Sequence, residues 1–132
     1  MTTLDVLAWI CIENRQVLCA RTKGNEVFYL PGGKRETGES DWEGLSREVQ
    51  EEMSVALMQR TLVHALTVEE KAHGFVEPTW VTMKCFMAEY EGAIVPAAEI
   101  ESIAWLTTIN LQQCAPATQR VLEHLASQQL ID

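Results

Sequence analysis

Cations are scarce in this chain. Lys and Arg number 10 against 19 Asp and Glu, a formal net charge of −9. A nonspecific nucleic-acid or membrane-surface binder needs a basic stripe, so neither class of partner is expected. A small phosphorylated ligand remains admissible if bound cations mask the repulsion, and Mg²⁺ would do this by bridging carboxylates and phosphate oxygens. Metal-ligand cysteine spacing is missing as well. Cys11, Cys19, Cys85 and Cys114 are scattered, with no CxxC pair and no His in ligand spacing, which argues against zinc. Cys11, Cys19 and Cys85 sit in apolar strand-like runs, where a reduced, buried thiol is expected. No apolar run reaches the length of a membrane span, and the start MTTLDVLAWICI lacks a basic leader and carries Asp5. The expected compartment is a reducing cytoplasm. Linkers, repeats and low-complexity stretches are absent too. With 132 residues and 47% hydrophobic content, a single domain over 1–132 with a full core is predicted.

What is present alternates between strand-like and helix-like patterns. Residues 4–12 (LDVLAWICI) and 16–22 (QVLCART) are apolar runs around the turn-prone Glu13-Asn14-Arg15, and they predict an antiparallel hairpin. Val27–Leu30 is predicted as a short strand stopped by Pro31-Gly32-Gly33. A helix is expected from about Ser40 to Met53. Extended segments follow at 56–68 and, richer in β-branched and aromatic residues, at 79–90. Residues 101–106 read as a last short strand. Pro116 then opens a helix with Val121, Leu122 and Leu125 as its apolar stripe. Strands mixed with two helices predict an α/β fold, a mixed sheet packed between helices.

The helix at 40–53 has an unusual charge pattern. At 100° per residue, Trp42, Leu45, Val49 and Met53 fall within about 80° of one another. Glu48, Glu51 and Glu52 gather on an adjacent face, because i, i+3 and i+4 are neighbours. Like charges at those spacings destabilise a bare helix by some tenths of a kcal/mol per pair. A solvated surface helix usually intersperses lysines; between Trp42 and Gln59 this one has only Arg47. A divalent-metal platform explains the crowding better than a solvated face.

The spacing upstream sharpens that reading. From Gly33, five residues lead to Glu39, and seven more lead to Arg47-Glu48, Val49, Gln50, Glu51-Glu52, Met53, Ser54 and Val55. This resembles the Nudix box, G-x5-E-x7-R-E-U-x-E-E-x-G-U with U a bulky aliphatic residue, over residues 33–55. The closing glycine alone departs, being Ser54 here. The strand Phe28-Tyr29-Leu30 entering Pro31-Gly32-Gly33, the segment Glu99 to Leu106 and the last helix are also similar to that family. The resemblance implies the Nudix α/β/α sandwich and hydrolysis of a diphosphate linked to another group, usually a nucleoside.

Residue roles follow from that resemblance. It implies Mg²⁺ as cofactor, with Mn²⁺ able to substitute, held by Glu48 and Glu52, by Glu51 directly or through water, and by the carbonyl of Gly32. Arg47 would orient Glu48 or Glu39 by a forked hydrogen bond, leaving Glu39 as support behind the ligands. Lys34, beside Gly33 in the phosphate loop, would steady the leaving phosphate; its alternative is a solvated surface lysine. The general base is a box glutamate or a carboxylate from a later loop. Glu99 is the first outside candidate and Glu101, of the same strand parity, the second. Glu69, Glu70 and His73, in the loop VEEKAHGFVEP, are further options. The expected departures are local: Ser54 where glycine takes a left-handed cap conformation, and Gly44 mid-helix, which suggests close backbone approach.

The expected substrate is a nucleoside triphosphate or related nucleotide, as in the compact MutT-type members, with ADP-ribose or a nucleotide sugar as the alternative. The family's proline about fifteen residues after the box, tied to ADP-ribose, is replaced by TVEEKAH. A noncatalytic nucleotide-sensing module usually loses the box acids, which are kept here. A homodimer is compatible, being common in the family.

Overall fold

Leu7, Ala8, Trp9 and Ile10 are consecutive and all buried, so the strand that carries them has no solvent face. In the computed structural model, which describes residues 2–132, this strand is the axis of the fold. The chain runs β1 (Thr2–Ile10), β2 (Ile12–Glu13), β3 (Gln16–Thr22), β4 (Gly32–Lys34), α1 (Asp41–Met53), β5 (Ala56–Leu57), β6 (Val63–Lys71), β7 (Thr79–Met87), β8 (Tyr90–Glu91), β9 (Ile100–Leu106) and α2 (Pro116–Ser127). Short 3₁₀ turns occupy Gln59–Thr61 and Thr108–Gln113. The larger sheet has the order β4-β1-β7-β6, with β1 and β7 parallel and the other pairs antiparallel. A second sheet orders β2-β3-β9, and β5 pairs with β8.

The alternation of β1 divides the core in two. Leu7 and Trp9 face α1, where they join Leu45, Val49 and Met53. Ala8 and Ile10 face the other way, toward Val121, Leu122 and Leu125 of α2. The mixed sheet packed between helices is therefore as the sequence predicts. Both helical stripes are placed as expected, although Trp42 is only partly buried. All four cysteines are buried free thiols. No helix among the described residues is long and apolar enough to cross a membrane.

Three strand predictions are corrected. Residues 4–12 and 16–22 form a hairpin only at its tip, where β2 and β3 pair antiparallel across Asn14-Arg15. The edges of β1 are taken by β4 and β7, so β3 finds its partners in β2 and β9. The chain changes sheets at Cys11, whose carbonyl accepts the Leu18 N–H at 2.9 Å. Around Val27–Leu30 only isolated bridges form, at Phe28 and Tyr29, and the strand comes after the proline. Pro31 needs no N–H there, because its carbonyl accepts from Trp9 at 2.9 Å just before the edge strand β4 begins. Gly32 then passes so close to β1 that a side chain would collide with the Leu7 carbonyl. Residues 56–68 are not continuously extended either: β5 is two residues long, the 3₁₀ turn follows, and β6 starts only at Val63.

Candidate active site

The site is built on α1, whose start is fixed locally. Ser40 Oγ accepts from the Glu43 N–H at 3.1 Å, and Glu43 Oε1 accepts from the Ser40 N–H at 2.9 Å. This reciprocal cap satisfies two of the helix's free donors and fixes where the helix begins. At the other end Ser54 does take the left-handed conformation, φ 65° and ψ 23°. Its Oγ donates to the Val95 carbonyl at 2.8 Å, a bond glycine could not make. Gly44 lies against β1: a Cβ there would stand 2.6 Å from Leu7 Cδ1 and 3.2 Å from Glu39 Oε1. The close approach suggested by the sequence is present.

Arg47 organises the carboxylates. Its Nε and Nη2 donate to the two oxygens of Glu39 at 2.7 and 2.9 Å, and Nη1 donates to Glu48 Oε1 at 2.8 Å. Nη2 also reaches the Lys34 carbonyl at 3.3 Å, tying the helix to β4. Glu51 stands farther off, 3.7 Å from Arg47 and largely exposed. The forked bond to Arg47 and the Glu36 N–H bring the Glu39 carboxyl down to about 2. Glu48 moves the opposite way, because burial outweighs its bond to Arg47. Glu52 is pushed up to about 8, by burial first and then by the charges of Glu48, Glu99 and Glu51, although the Gly32 N–H donates to it at 3.0 Å.

The glycine loop makes room for this cluster. A Cβ on Gly33 would stand 2.5 Å from the Glu48 carboxyl carbon, so the space beside Glu48 exists only because residue 33 has no side chain. Arg35, which sequence reasoning passed over, clamps the loop. It pairs with Asp5 on β1 at 3.0 Å, donates to the Glu39 carbonyl at 3.1 Å and pairs with Asp41 at the start of α1. Lys34 is exposed, and its side chain has no ion pair among the described residues.

The candidate bases separate. The loop before β9 is bonded to the end of α1, by Val95 N–H to the Met53 carbonyl and Ala97 N–H to the Glu52 carbonyl, both 2.9 Å. Glu99 ends this loop, and its charge acts on Glu48 and Glu52. Glu101 instead pairs with Arg21 at 2.8 Å. Glu70 pairs with Arg120 at 3.2 Å, Glu69 is exposed on β6, and His73 Nδ1 meets the Tyr29 hydroxyl at 3.1 Å.

A divalent cation fits these residues. Among the described residues no three His, Cys, Asp or Glu side chains are closed into a ready cage. The carboxylates of Glu48 and Glu52 are nonetheless half-buried, mutually repelling and raised in pKa, and their donors are all oxygen. That is the environment a hard cation relieves, and the repulsion is a reason for the side chains to stand apart without one.

A cavity lies next to this cluster. It measures about 230 Å³ and is mostly apolar, walled by residues such as Leu4, Val81 and Met83, with Tyr29, Phe75 and Thr118 around it. Glu52, Gly32 and Gly33 line the same cavity. Several separate segments build it, so no spacing pattern betrays it.

Comparison with known proteins agrees with this geometry. A family model described as the NUDIX domain matches residues 1–125. A human protein named 8-oxo-dGDP phosphatase NUDT18 is 35% identical over 114 residues, covering 80% of this chain and 32% of that protein. The chain thus spans about a third of the length of the curated relative it matches. The solution structure of the E. coli ORF135 protein superposes with a TM-score of 0.76 at 21% identity, covering 98% of this chain and 92% of the other. A MutT NUDIX hydrolase from Burkholderia pseudomallei gives 0.71 at 18% identity, with 93% and 98% covered. These structures share the fold.

Proposed function

This chain belongs to the NUDIX domain family, and on that premise we propose that it hydrolyses a diphosphate bond in a nucleoside triphosphate or related nucleoside diphosphate derivative, with a divalent metal. One observation carries the reading: Glu52, Gly32 and Gly33 open into the same cavity as Tyr29, Phe75 and Thr118. A charged end suited to a metal-bound diphosphate thus adjoins an apolar end suited to a base. The name of the human relative, an 8-oxo-dGDP phosphatase, makes oxidised guanine nucleotides a natural part of the substrate set to be tried.

Glu48 and Glu52, with Glu51 and the Gly32 carbonyl, are the groups proposed to hold Mg²⁺ or Mn²⁺. When bound, the metal would neutralise phosphate charge and make water a better nucleophile. The chain's own residues do the rest. Arg47 fixes Glu48 in one orientation while Glu39 fixes Arg47. Glu99 takes a proton from the attacking water as the water oxygen bonds to phosphorus and the bridging P–O bond breaks. The bridging oxygen leaves with the electron pair, and Lys34 offsets part of its charge. The apolar walls hold the base and exclude water from its faces.

The test is to incubate the protein with Mg²⁺ and a panel of nucleotides, 8-oxo-dGDP, ADP-ribose and nucleotide sugars, and to identify the products. Glu52→Gln should abolish turnover while circular dichroism stays native. Full activity in that variant would remove the metal assignment. Absence of turnover across the panel would point to a binding module.

A further inference from the structure

Arg35 follows β4 and reaches three segments at once. Its main-chain N–H extends the pairing of β4 with β1, donating to the Asp5 carbonyl at 3.1 Å. Its guanidinium then divides. Nε donates to Asp5 Oδ2 at 3.0 Å, and Nη1 to the Glu39 carbonyl at 3.1 Å. Nη2 donates to Asp41, the first residue of α1. The last two partners flank Ser40, the residue that caps the helix, so the guanidinium holds the start of α1 from both sides. Asp41 is held in turn by Lys84 on β7, at 3.6 Å.

As a source of stability this arrangement is weak. The side chains of Asp5 and Asp41 are 57% and 36% exposed, and ion pairs open to solvent contribute little. What the three bonds specify is geometry. A planar guanidinium has fixed donor directions, so β1, Glu39 and Asp41 are held at set angles to one another. Glu39 is also the residue whose carboxylate receives the fork from Arg47, at 2.7 and 2.9 Å. Arg47 then reaches Glu48 at 2.8 Å and the Lys34 carbonyl at 3.3 Å, one residue before Arg35 itself. The contacts close a ring through Arg35, Glu39, Arg47 and Lys34, and Glu48 hangs from it.

We propose that Arg35 is a positioning residue for Glu48, acting through Glu39 and Arg47 to hold that carboxylate where a divalent cation binds. The inference rests on reading Glu48 as a metal ligand. With Arg35 released, Glu39 keeps its bonds to Arg47, but the pair is free to shift together relative to β4. Glu48 shifts with them. Outer partners of this kind raise metal affinity by removing motions that the ligand would otherwise lose on binding. A lysine at residue 35 keeps the charge but can satisfy only one of the three partners at a time.

Binding of Mn²⁺ tests this without turnover. The electron paramagnetic resonance signal of free Mn²⁺ gives its Kd for the wild type, Arg35→Lys, Glu39→Gln and the double variant. Circular dichroism gives the Tm of each. Arg35→Lys should weaken Mn²⁺ binding about 10-fold, the low end for losing an outer partner of a ligand. In the Glu39→Gln protein the same change should add less than about 2-fold, because the ring is already open. A purely structural clamp would lower Tm and leave Kd alone, and that result would overturn the proposal. So would losses that multiply in the double variant, since Arg35 would then act by another route. If Arg35→Lys does not fold, Asp41→Asn takes its place in the cycle, and the same two results decide. A wild type that binds no Mn²⁺ would remove the metal reading itself, whereas binding indifferent to Arg35 removes only the role of that residue.

Discussion

Arg47 holds Glu39 through two parallel hydrogen bonds of 2.7 and 2.9 Å, and this fork leaves its third nitrogen aimed at Glu48. The geometry depends on a planar guanidinium. A lysine ammonium is a point donor on a flexible stem and cannot grip two carboxylates at fixed angles. Arg47→Lys should therefore keep the charge and the fold but lower kcat/KM by about 10- to 100-fold, the usual scale for losing a partner that orients a metal ligand. Steady-state kinetics at saturating and limiting Mg²⁺ will show whether part of the loss is in metal affinity. Activity unchanged by this substitution would mean the fork is decorative.

Glu52 predicts a pH dependence of stability. Its folded pKa is raised to about 8 from 4.5. The native state then keeps a proton that the unfolded chain releases, so this group's contribution falls as pH rises through 4.5 and is fully lost above 8. With EDTA, the Tm of the wild type relative to Glu52→Gln should fall between pH 5 and 8.5. Added Mg²⁺ favours the charged form, so the Tm gain it gives should grow with pH over the same window. A flat difference between the two proteins would show that Glu52 is solvated in the folded state.

How far the sequence carries depends on how local each feature is. The cap at Ser40, the apolar stripe of Leu45, Val49 and Met53, and the three-glutamate face are set by residues three and four apart, so α1 and its charge pattern were legible. The Arg47 fork was implied only by the resemblance to the Nudix box, and the structure shows it. The partner of β1 was not, because pairing depends on which edges are free, and both edges of β1 are taken by segments distant in sequence. The Arg35 clamp joins Asp5 and Asp41 across β1 and α1, and Thr118 faces a cavity that several segments share. Neither has any periodic signature.

Gly33 is predicted to be intolerant for a reason specific to Glu48. A methyl group at residue 33 would stand 2.5 Å from the Glu48 carboxyl carbon, so the carboxylate must move. Gly33→Ala should leave secondary structure intact and lower kcat by about 100-fold, the cost typical of displacing a catalytic group by about an ångström. The measurement is kcat alongside near-UV circular dichroism. A fully active Gly33→Ala protein would show that Glu48 need not occupy that space during turnover.

Ser54 allows a sharper stability test than its departure from the box suggests. Its left-handed conformation costs roughly 1–2 kcal/mol against glycine, while its hydrogen bond to the Val95 carbonyl returns about 0.5–1.5 kcal/mol. Ser54→Gly should change stability by less than about 1 kcal/mol, whereas Ser54→Ala keeps the strain and loses the bond. Urea denaturation should rank alanine below both of the others. Alanine matching serine would mean the bond contributes nothing.

Glu99 and Glu101 are two residues apart, but Glu99 ends a loop while Glu101 lies on β9, and their surroundings differ. Glu101 is paired with Arg21 at 2.8 Å, while Glu99 lies close enough to Glu48 and Glu52 for its charge to act on both. A base must reach the water that attacks phosphorus, and of the two only Glu99 acts by its charge on the carboxylates proposed to hold the metal. Glu99→Gln should lower kcat by about 10²- to 10⁴-fold, the range for removing a positioned base. Glu101→Gln loses a half-exposed ion pair and should change kcat less than about 2-fold. The two rates together locate the base. Equal losses in both variants would return that role to one of the box glutamates, because neither residue would then be distinguished by its distance from the reacting phosphate.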